Sequence, residues 1–483
     1  MKINTVLRFI AMTTGAITIS FIVPIAWSAA SRDQGLWPLF WSFSVGVITS
    51  VILFFCGRKS SFLEMSIREA ILSVVGSWIS VSVIAGLPYI FSGAVPSLLD
   101  AVFEGVSGFT TTGATVIGNL SGVPRSILLW RSFSQWLGGV GIVVLTLALF
   151  PMSGAGMELY KAEVSGPIHE RLTPRIQQTA AFLWKTYLIL TCAEVALLSI
   201  GGLDFFDSVT LSFSTLATGG FSPYSDNVGH FQSDYVKIVS CVFLFLSGAN
   251  LTFYHTLIVR RSISPLRENA ELRFYISILV IFGLFTSITL YADDVVPSLG
   301  ESLLEGFFHT ISTLSTCGFF TLDYNLWPSS VRYLTLALMF CGGCAISTAG
   351  GITCIRVLVI LKHIRTEFIR LLHPRAVVPT RIGNDTLETR VVSACFAFFA
   401  AYIAIFSFGF ILLGLFGQDM TTALSGVAAT LGNVGPGFGM TGPTVGYAMM
   451  PSSVKAVFIF LMLCGRLEIF TLLVIFTPRF WRG

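Results

Sequence analysis

The stretch DAVFEGVSGFTTTGAT at 100–115 has three counterparts further along the chain: DSVTLSFSTLATGGFS at 207–222, EGFFHTISTLSTCGFF at 305–320 and TALSGVAATLGNVGPG at 422–437. The four align without gaps on Gly113, Gly220, Gly318 and Gly435, and a register kept at such spacing marks one structural unit used four times. Four residues before each glycine stands a large apolar residue, Phe109, Leu216, Leu314 or Leu431. Two before it stands a small polar one, Thr111, Thr218, Thr316 or Asn433. Each stretch therefore reads as a short helix running into a glycine turn.

The chain around these stretches is built for lipid. Of its 483 residues 54% are hydrophobic and 11% charged, at a mean hydropathy of +0.81, against roughly a quarter charged in soluble domains. Apolar runs near the ~20 residues needed to cross a bilayer recur from end to end, at about 5–27, 39–56, 70–92, 126–150, 178–202, 236–259, 273–292, 331–361, 390–415 and 453–477. The fold class expected is an all-α polytopic membrane protein. The first run follows Lys2 and Arg8 as a signal peptide would, but its length favours a retained helix. The nine cysteines lie almost entirely in apolar runs and imply no disulfide framework; Cys341-Gly-Gly-Cys344 has the spacing of a metal or redox pair but no second pair. A net charge of +4 is too small to point to nucleic acid.

Cations divide the connections into two sets. One set holds Arg58, Lys59 and Arg68; Lys161, Arg171 and Arg175; Arg260, Arg261, Arg267 and Arg273; and the six from Lys362 to Arg390, whereas the other holds scattered ones such as Arg32 and Lys237. By the positive-inside rule the first set is cytoplasmic, both termini are cytoplasmic, and the four glycine stretches, too short to cross, dip in from outside. The expected organisation is two leading helices over 1–69, then helix–loop–helix repeats over 70–151, 175–260, 271–362 and 389–478 in a pseudo-four-fold arrangement.

A dehydrated cation needs several oxygens converging in place of its water shell, and backbone carbonyls can supply them. Glycine, which takes positive φ and lets backbone approach closely, suits a carbonyl-lined constriction once per repeat. The candidate ligand stretches are Thr111-Thr112-Gly113, Thr218-Gly219-Gly220, Thr316-Cys317-Gly318 and Asn433-Val434-Gly435. The competing reading of each turn is an ordinary helix cap, which one copy would satisfy but four in register strain. Acids thirteen residues before three of the glycines, Asp100, Asp207 and Glu305, read as helix caps or as part of a cation-attracting mouth; Thr422 stands in the fourth place.

Two further features bear on a pathway. The eighth run is interrupted by Cys341-Gly-Gly-Cys-Ala-Ile-Ser-Thr-Ala-Gly-Gly351, where Gly342, Gly343, Ser347, Thr348, Gly350 and Gly351 cannot hold a rigid helix. Unwound backbone at that depth lines a cavity or packs against protein. Arg466 lies within the last run, where a buried cation is functional by default or pairs with an acid such as Glu194; Arg356 is expected to snorkel and Glu468 to point away from Arg466.

Over about residues 70–477 the four turns and Arg466 resemble the Trk/Ktr/HKT superfamily of potassium transporters, and the two leading spans resemble its longer members. That resemblance implies potassium as the substrate ion, since the first-repeat glycine that goes with potassium is present as Gly113. It further implies a movable gating loop at 342–351, Arg466 as a barrier below the filter, and the bacterial inner membrane. A homodimer is implied as well, and so is a cytosolic ring of TrkA-type subunits that bind ATP/ADP and NAD(H), docked around 152–177 and 362–390. No cofactor is expected in this chain. Asn433-Val-Gly435-Pro-Gly437 departs from the Thr-containing pattern, so the four turns need not be equal. A coupled symporter with sodium or protons is the alternative mechanism; a membrane enzyme finds no paired carboxylates or metal ligands.

Overall fold

A computed structural model describes residues 1–58, 65–141, 176–250, 254, 269–376, 378–383 and 385–482. Apart from a two-residue hairpin, β1 Arg381–Ile382 with β2 Asp385–Thr386, the described elements are helices. Three lead: α1 Ile3–Ser20, α2 Ile22–Ser31 and α3 Leu36–Cys56. Four triplets of long helix, short helix and second helix come next. They are α4 Ile67–Phe91, α5 Leu98–Phe109 and α6 Arg125–Val140; α7 Ile176–Ile200, α8 Phe205–Leu216 and α9 Asp234–Gly248; α10 Ala270–Ala292, α11 Leu299–Leu314 and α12 Ser329–Cys341; and, after α13 Cys354–Leu372, α14 Thr389–Leu415, α15 Met420–Leu431 and α16 Ser452–Arg466. Among the described residues six segments are long and apolar enough to cross a membrane, beginning at Ile3, Leu36, Ile67, Ala181, Ala270 and Thr389. The chain is thus a multi-pass helical membrane protein.

Local chemistry sets the starts. Ser66 and Glu69 form a reciprocal capping box on α4, and Ser97, Asp204 and Asp419 accept the N–H three residues on at the starts of α5, α8 and α15. Proline precedes α6, α12 and α16 with φ between −53° and −58°, the value its ring imposes. Small residues let helices touch: a Cβ on Gly105 of α5 would meet the Ser82 carbonyl of α4. The leading helices dock on α4 through Thr13 Oγ1 to Ser77 Oγ, 2.9 Å, and Phe21 stacks on Trp130 at 3.9 Å. Between α2 and α3 the Asp33 carboxylate accepts from Ser28, from Gly35 N–H at 3.0 Å and from Ser126 N–H and Oγ, both 2.8 Å; burial opposes its ionisation, but these donors outweigh it and hold the carboxyl below its ordinary range.

The second helices differ from ten uniform crossings. The eighth run is two helices, α12 and α13, joined by residues 342–353. The tenth bends by 119° after Arg466 into Ile469–Phe476, because Glu468 sits at φ +55°, which no helix continues. The later parts of the fourth and sixth runs, and the basic connections around 152–175 and 255–268, lie outside the described residues.

Candidate functional site

The four short helices end alike. Thr111, Thr218, Thr316 and Asn433 take left-handed φ of 53°, 50°, 58° and 54°, and each N–H bonds back three residues, to Gly108, Thr215, Thr313 and Thr430. The next N–H, of Thr112, Gly219, Cys317 and Val434, reaches back five residues at 2.7–2.9 Å. This pair of hydrogen bonds is the Schellman cap, so the capping reading is true of the local geometry. It does not account for the rest of each turn. β-Branched threonine is a costly residue for that region, and each glycine then adds a second left-handed step, with φ of 80°, 77°, 76° and 99° at Gly113, Gly220, Gly318 and Gly435.

The turns close on one another. A Cβ on Gly113 would run into the carbonyl oxygen of Gly219; on Gly220, into that of Cys317; on Gly318, into that of Val434; and on Gly435, into that of Thr112. First meets second, second meets third, third meets fourth and fourth meets first. These residues are buried apart from half-buried Gly113. On the side where the chain leaves the turns, a cavity of about 70 Å³ is lined by Gly113, Gly220, Ser222, Phe320, Pro436 and Tyr447 among others.

On the opposite side lies the loop between α12 and α13. Gly350 N–H donates to Thr316 Oγ1 at 2.7 Å, Thr218 Oγ1 donates to Thr348 Oγ1 at 3.3 Å, and Gly350 leaves no room for a Cβ against Gly432 O and Asn433. The loop also answers a backbone problem. A helix end leaves carbonyls without partners, and in lipid these need protein donors. Gly248 O, at the end of α9, accepts from Cys344 N–H at 2.9 Å, and Ser247 O accepts from Thr348 N–H and Oγ1 at 3.4 and 3.3 Å. Gly342 and Gly351 take φ of 72° and 78°, and Ser347 Oγ donates to Cys344 O at 2.6 Å, so serine and threonine hydroxyls satisfy freed backbone.

Arg466 plays the same part for α6. Its guanidinium donates to Gly138 O at 2.8 Å and Gly139 O at 3.2 Å, and to Thr348 O of the loop at 2.8 Å. A cation at a helix C-terminus meets the negative end of the dipole. Among the described residues Glu194, the candidate partner, makes no ion pair with Arg466, whose guanidinium bonds to these carbonyls. Arg356 is corrected outright: it does not snorkel but is 5% exposed, ion-paired to Glu468 at 2.6 Å and stacked over Phe398 at 3.9 Å. Glu468 thus has a partner, though not Arg466. Beneath the loop, a cavity of about 100 Å³ is lined by Gly139, Tyr187, Ser347, Arg356, Arg466 and Glu468 among others.

The acids before the turns are clasped rather than open. Asp100 binds Lys455 Nζ of α16 at 2.6 Å, Glu305 binds Lys237 Nζ of α9 at 2.6 Å, and Asp207 accepts from Tyr224 OH at 3.1 Å. At the fourth, hydrogen bonds from Thr422 outweigh burial and hold the Asp419 carboxyl below its ordinary range. Side chains that brace the turns went unnoticed in the sequence. Arg131 pairs with Glu104 at 2.6 Å and donates to Ser222 O at 2.9 Å; Asn227 Nδ2 and Tyr447 OH donate to Gly220 O and Gly435 O at 3.0 and 2.8 Å. Only the first pair carried a signal, being charged residues in apolar surroundings.

A polytopic helical membrane protein whose four short helices meet in a buried cycle of glycines and carbonyls is the class these features define. The sequence matches the family described as TrkH, cation transport protein, over residues 42–482, and the chain belongs to that family. It is 36% identical over 486 residues to the Trk system potassium uptake protein TrkH of Escherichia coli (strain K12), covering all of both chains, and 34% identical to TrkG of the same organism over 96% of each. The crystal structure of the potassium transporter TrkH from Vibrio parahaemolyticus matches with a TM-score of 0.89 at 35% identity, again over both whole chains. These relatives are transporters, and the chain is not an enzyme.

Proposed function

We propose that this chain takes up potassium across the bacterial inner membrane through a gated, channel-like path along the axis of the four turns. The observation that carries the reading is the closed cycle in which each filter glycine abuts the carbonyl of the next repeat. Thr112, Gly219, Cys317 and Val434 thereby offer a ring of oxygens, with Thr111, Thr218, Thr316 and Asn433 beneath, that replaces an ion's hydration shell. Four helix C-termini aimed at the ring favour a cation and oppose an anion. The loop at 342–351, bonded to Thr316 and Thr218, stands in the way below, and Arg466 fixes it there while adding positive charge to the path.

Both termini face the cytoplasm on this reading, lipid surrounds the helices, and two chains form a homodimer with one path each. The names of the relatives as Trk system proteins support a TrkA-like, nucleotide-binding cytosolic partner that moves the loop. The test is flux into potassium-loaded liposomes: purified protein passes rubidium down its gradient with no sodium or proton gradient, and Gly113→Ser admits more sodium. Uptake that strictly requires a second ion gradient would replace the channel-like reading with a coupled symporter.

A further inference from the structure

Of the four carbonyls in the cycle, one is held differently. Gln135 on α6, fully buried, reaches from the first repeat into the second: its Nε2 donates to Gly219 O at 2.5 Å and its Oε1 accepts from Phe221 N–H at 3.1 Å. The two bonds fix which end of the carboxamide is which, since a flipped amide would set donor against donor at Phe221. Among the described residues Thr112 O, Cys317 O and Val434 O receive no such donor.

The clamp falls where the backbone is softest. The residue before the filter glycine is threonine, cysteine or valine in the other repeats, but here it is Gly219, so Gly219-Gly220 is the one turn with two glycines in succession. Glycine surrenders the most conformational freedom on being ordered. Gly219 does not need to be glycine for its φ, which is not in the left-handed region. It needs to be glycine because a Cβ would collide with the Gln135 carboxamide. The two residues are a matched pair: Gly219 makes the space that Gln135 fills, and Gln135 removes the freedom that Gly219 brings.

We propose that Gln135 is a specificity-determining positioning residue, which fixes the direction of the Gly219 carbonyl in the ion-coordinating ring and so sets discrimination between potassium and sodium. The inference rests on the conduction reading above. A carbonyl free to turn can follow a smaller ion inward, whereas one tied to a buried side-chain amide cannot. The tie also takes up part of the oxygen's accepting capacity, making this the weakest of the four ligands.

The test is Gln135→Ala in liposomes, with rubidium and sodium fluxes measured separately. The sodium-to-rubidium ratio is expected to rise about fivefold, the equivalent of one net hydrogen bond. The double variant Gln135→Ala/Gly219→Ala is expected to bring the ratio back, because a side chain in the vacated space stiffens the backbone in place of the clamp. A ratio unchanged in the single variant, or a double variant no more selective than the single, overturns the proposal. Should Gln135→Ala pass neither ion, thermal unfolding decides: wild-type protein melts higher in rubidium than in sodium chloride, and the gap is expected to close in the variant. A gap kept at its wild-type size refutes the clamp. Wild-type protein that passes no rubidium would instead sink the conduction reading, leaving the clamp to be judged by the melting gap.

Discussion

The glycine turns and the loop at 342–353 both place left-handed backbone inside a membrane, yet they are held in opposite ways. Each turn is secured by its own helix, through two Schellman bonds of 2.7–3.3 Å, and abuts a neighbour's carbonyl on the other side. The loop has a few bonds of its own, Ser347 Oγ to Cys344 O at 2.6 Å and Cys354 N–H to Gly343 O at 2.8 Å, but no helix cap repeats in it. Its place is set by bonds to other elements, to Thr316, Thr218, Ser247 and Arg466, of which those to Thr218 and Ser247 are long, at 3.3–3.4 Å. Remove the loop and the carbonyls it caps can be taken over by water from the cavity below. Remove a turn and its helix loses its end. On the proposed function, such a pathway separates a part that must not move from a part that can, and it does so by where the hydrogen bonds are made.

Four sets of substitutions bear on that contrast or mark its limits. The largest effect is expected at Gly318, where a Cβ faces the Val434 carbonyl with φ already at 76°. Gly318→Ala should reduce rubidium flux by more than about a hundredfold, given ~1–3 kcal/mol of backbone strain on top of the collision. Gly122→Ala, in open space, should leave flux as it was; equal effects at the two would mean that the cycle is not the pathway. Next comes the frame of the turns: Lys455→Met leaves Asp100 buried and unpaired, at a cost of about 3–5 kcal/mol in unfolding free energy, whereas Arg125→Met at the exposed pair with Asp204 should cost under about 1. Denaturation in detergent that ranked them the other way would break the argument.

Arg466→Ala tests the movable part. It frees Thr348 O and the end of α6, and one charge-assisted hydrogen bond is worth about 1.5–3 kcal/mol, so flux should rise about tenfold or more in protein that still folds. Flux at or below the wild-type level would show that Arg466 does not restrain the loop. The smallest effect lies outside both regions. Asp33→Asn should cost about 1 kcal/mol at neutral pH. Because the folded carboxyl sits below its ordinary 3.8, the native side chain's contribution is complete above that pH and fades as pH falls through the folded value. Variant and wild type should therefore converge in acid, and a difference that grew there would contradict the assignment.

What could be read in the sequence divides along the same line. The turns were legible because four copies in register turn a weak local signal into a strong one. The loop was legible in a coarser way, as a run of small residues too irregular for a helix, which says that something is unwound but not what it touches. Arg356 with Glu468 and Gln135 with Gly219 were not legible. Their partners stand 112 and 84 residues apart, and nothing in hydropathy or spacing links them. Arg356 illustrates the failure: nearness to a span's end suggests snorkelling, but the 119° bend after Arg466 brings Glu468 to it inside the protein. Tertiary turns of that kind leave no periodic trace.

Thr218 and Thr316 belong to both structures at once, since their backbone shapes two of the turns while their hydroxyls hold the loop. An ion resting against those residues and a loop resting against them draw on the same two groups. By reciprocity, whatever the loop's position does to an ion's affinity, the ion does to the loop's equilibrium by an equal factor. On the proposed function, a cation in the pathway is then one of the terms that decide when the pathway opens.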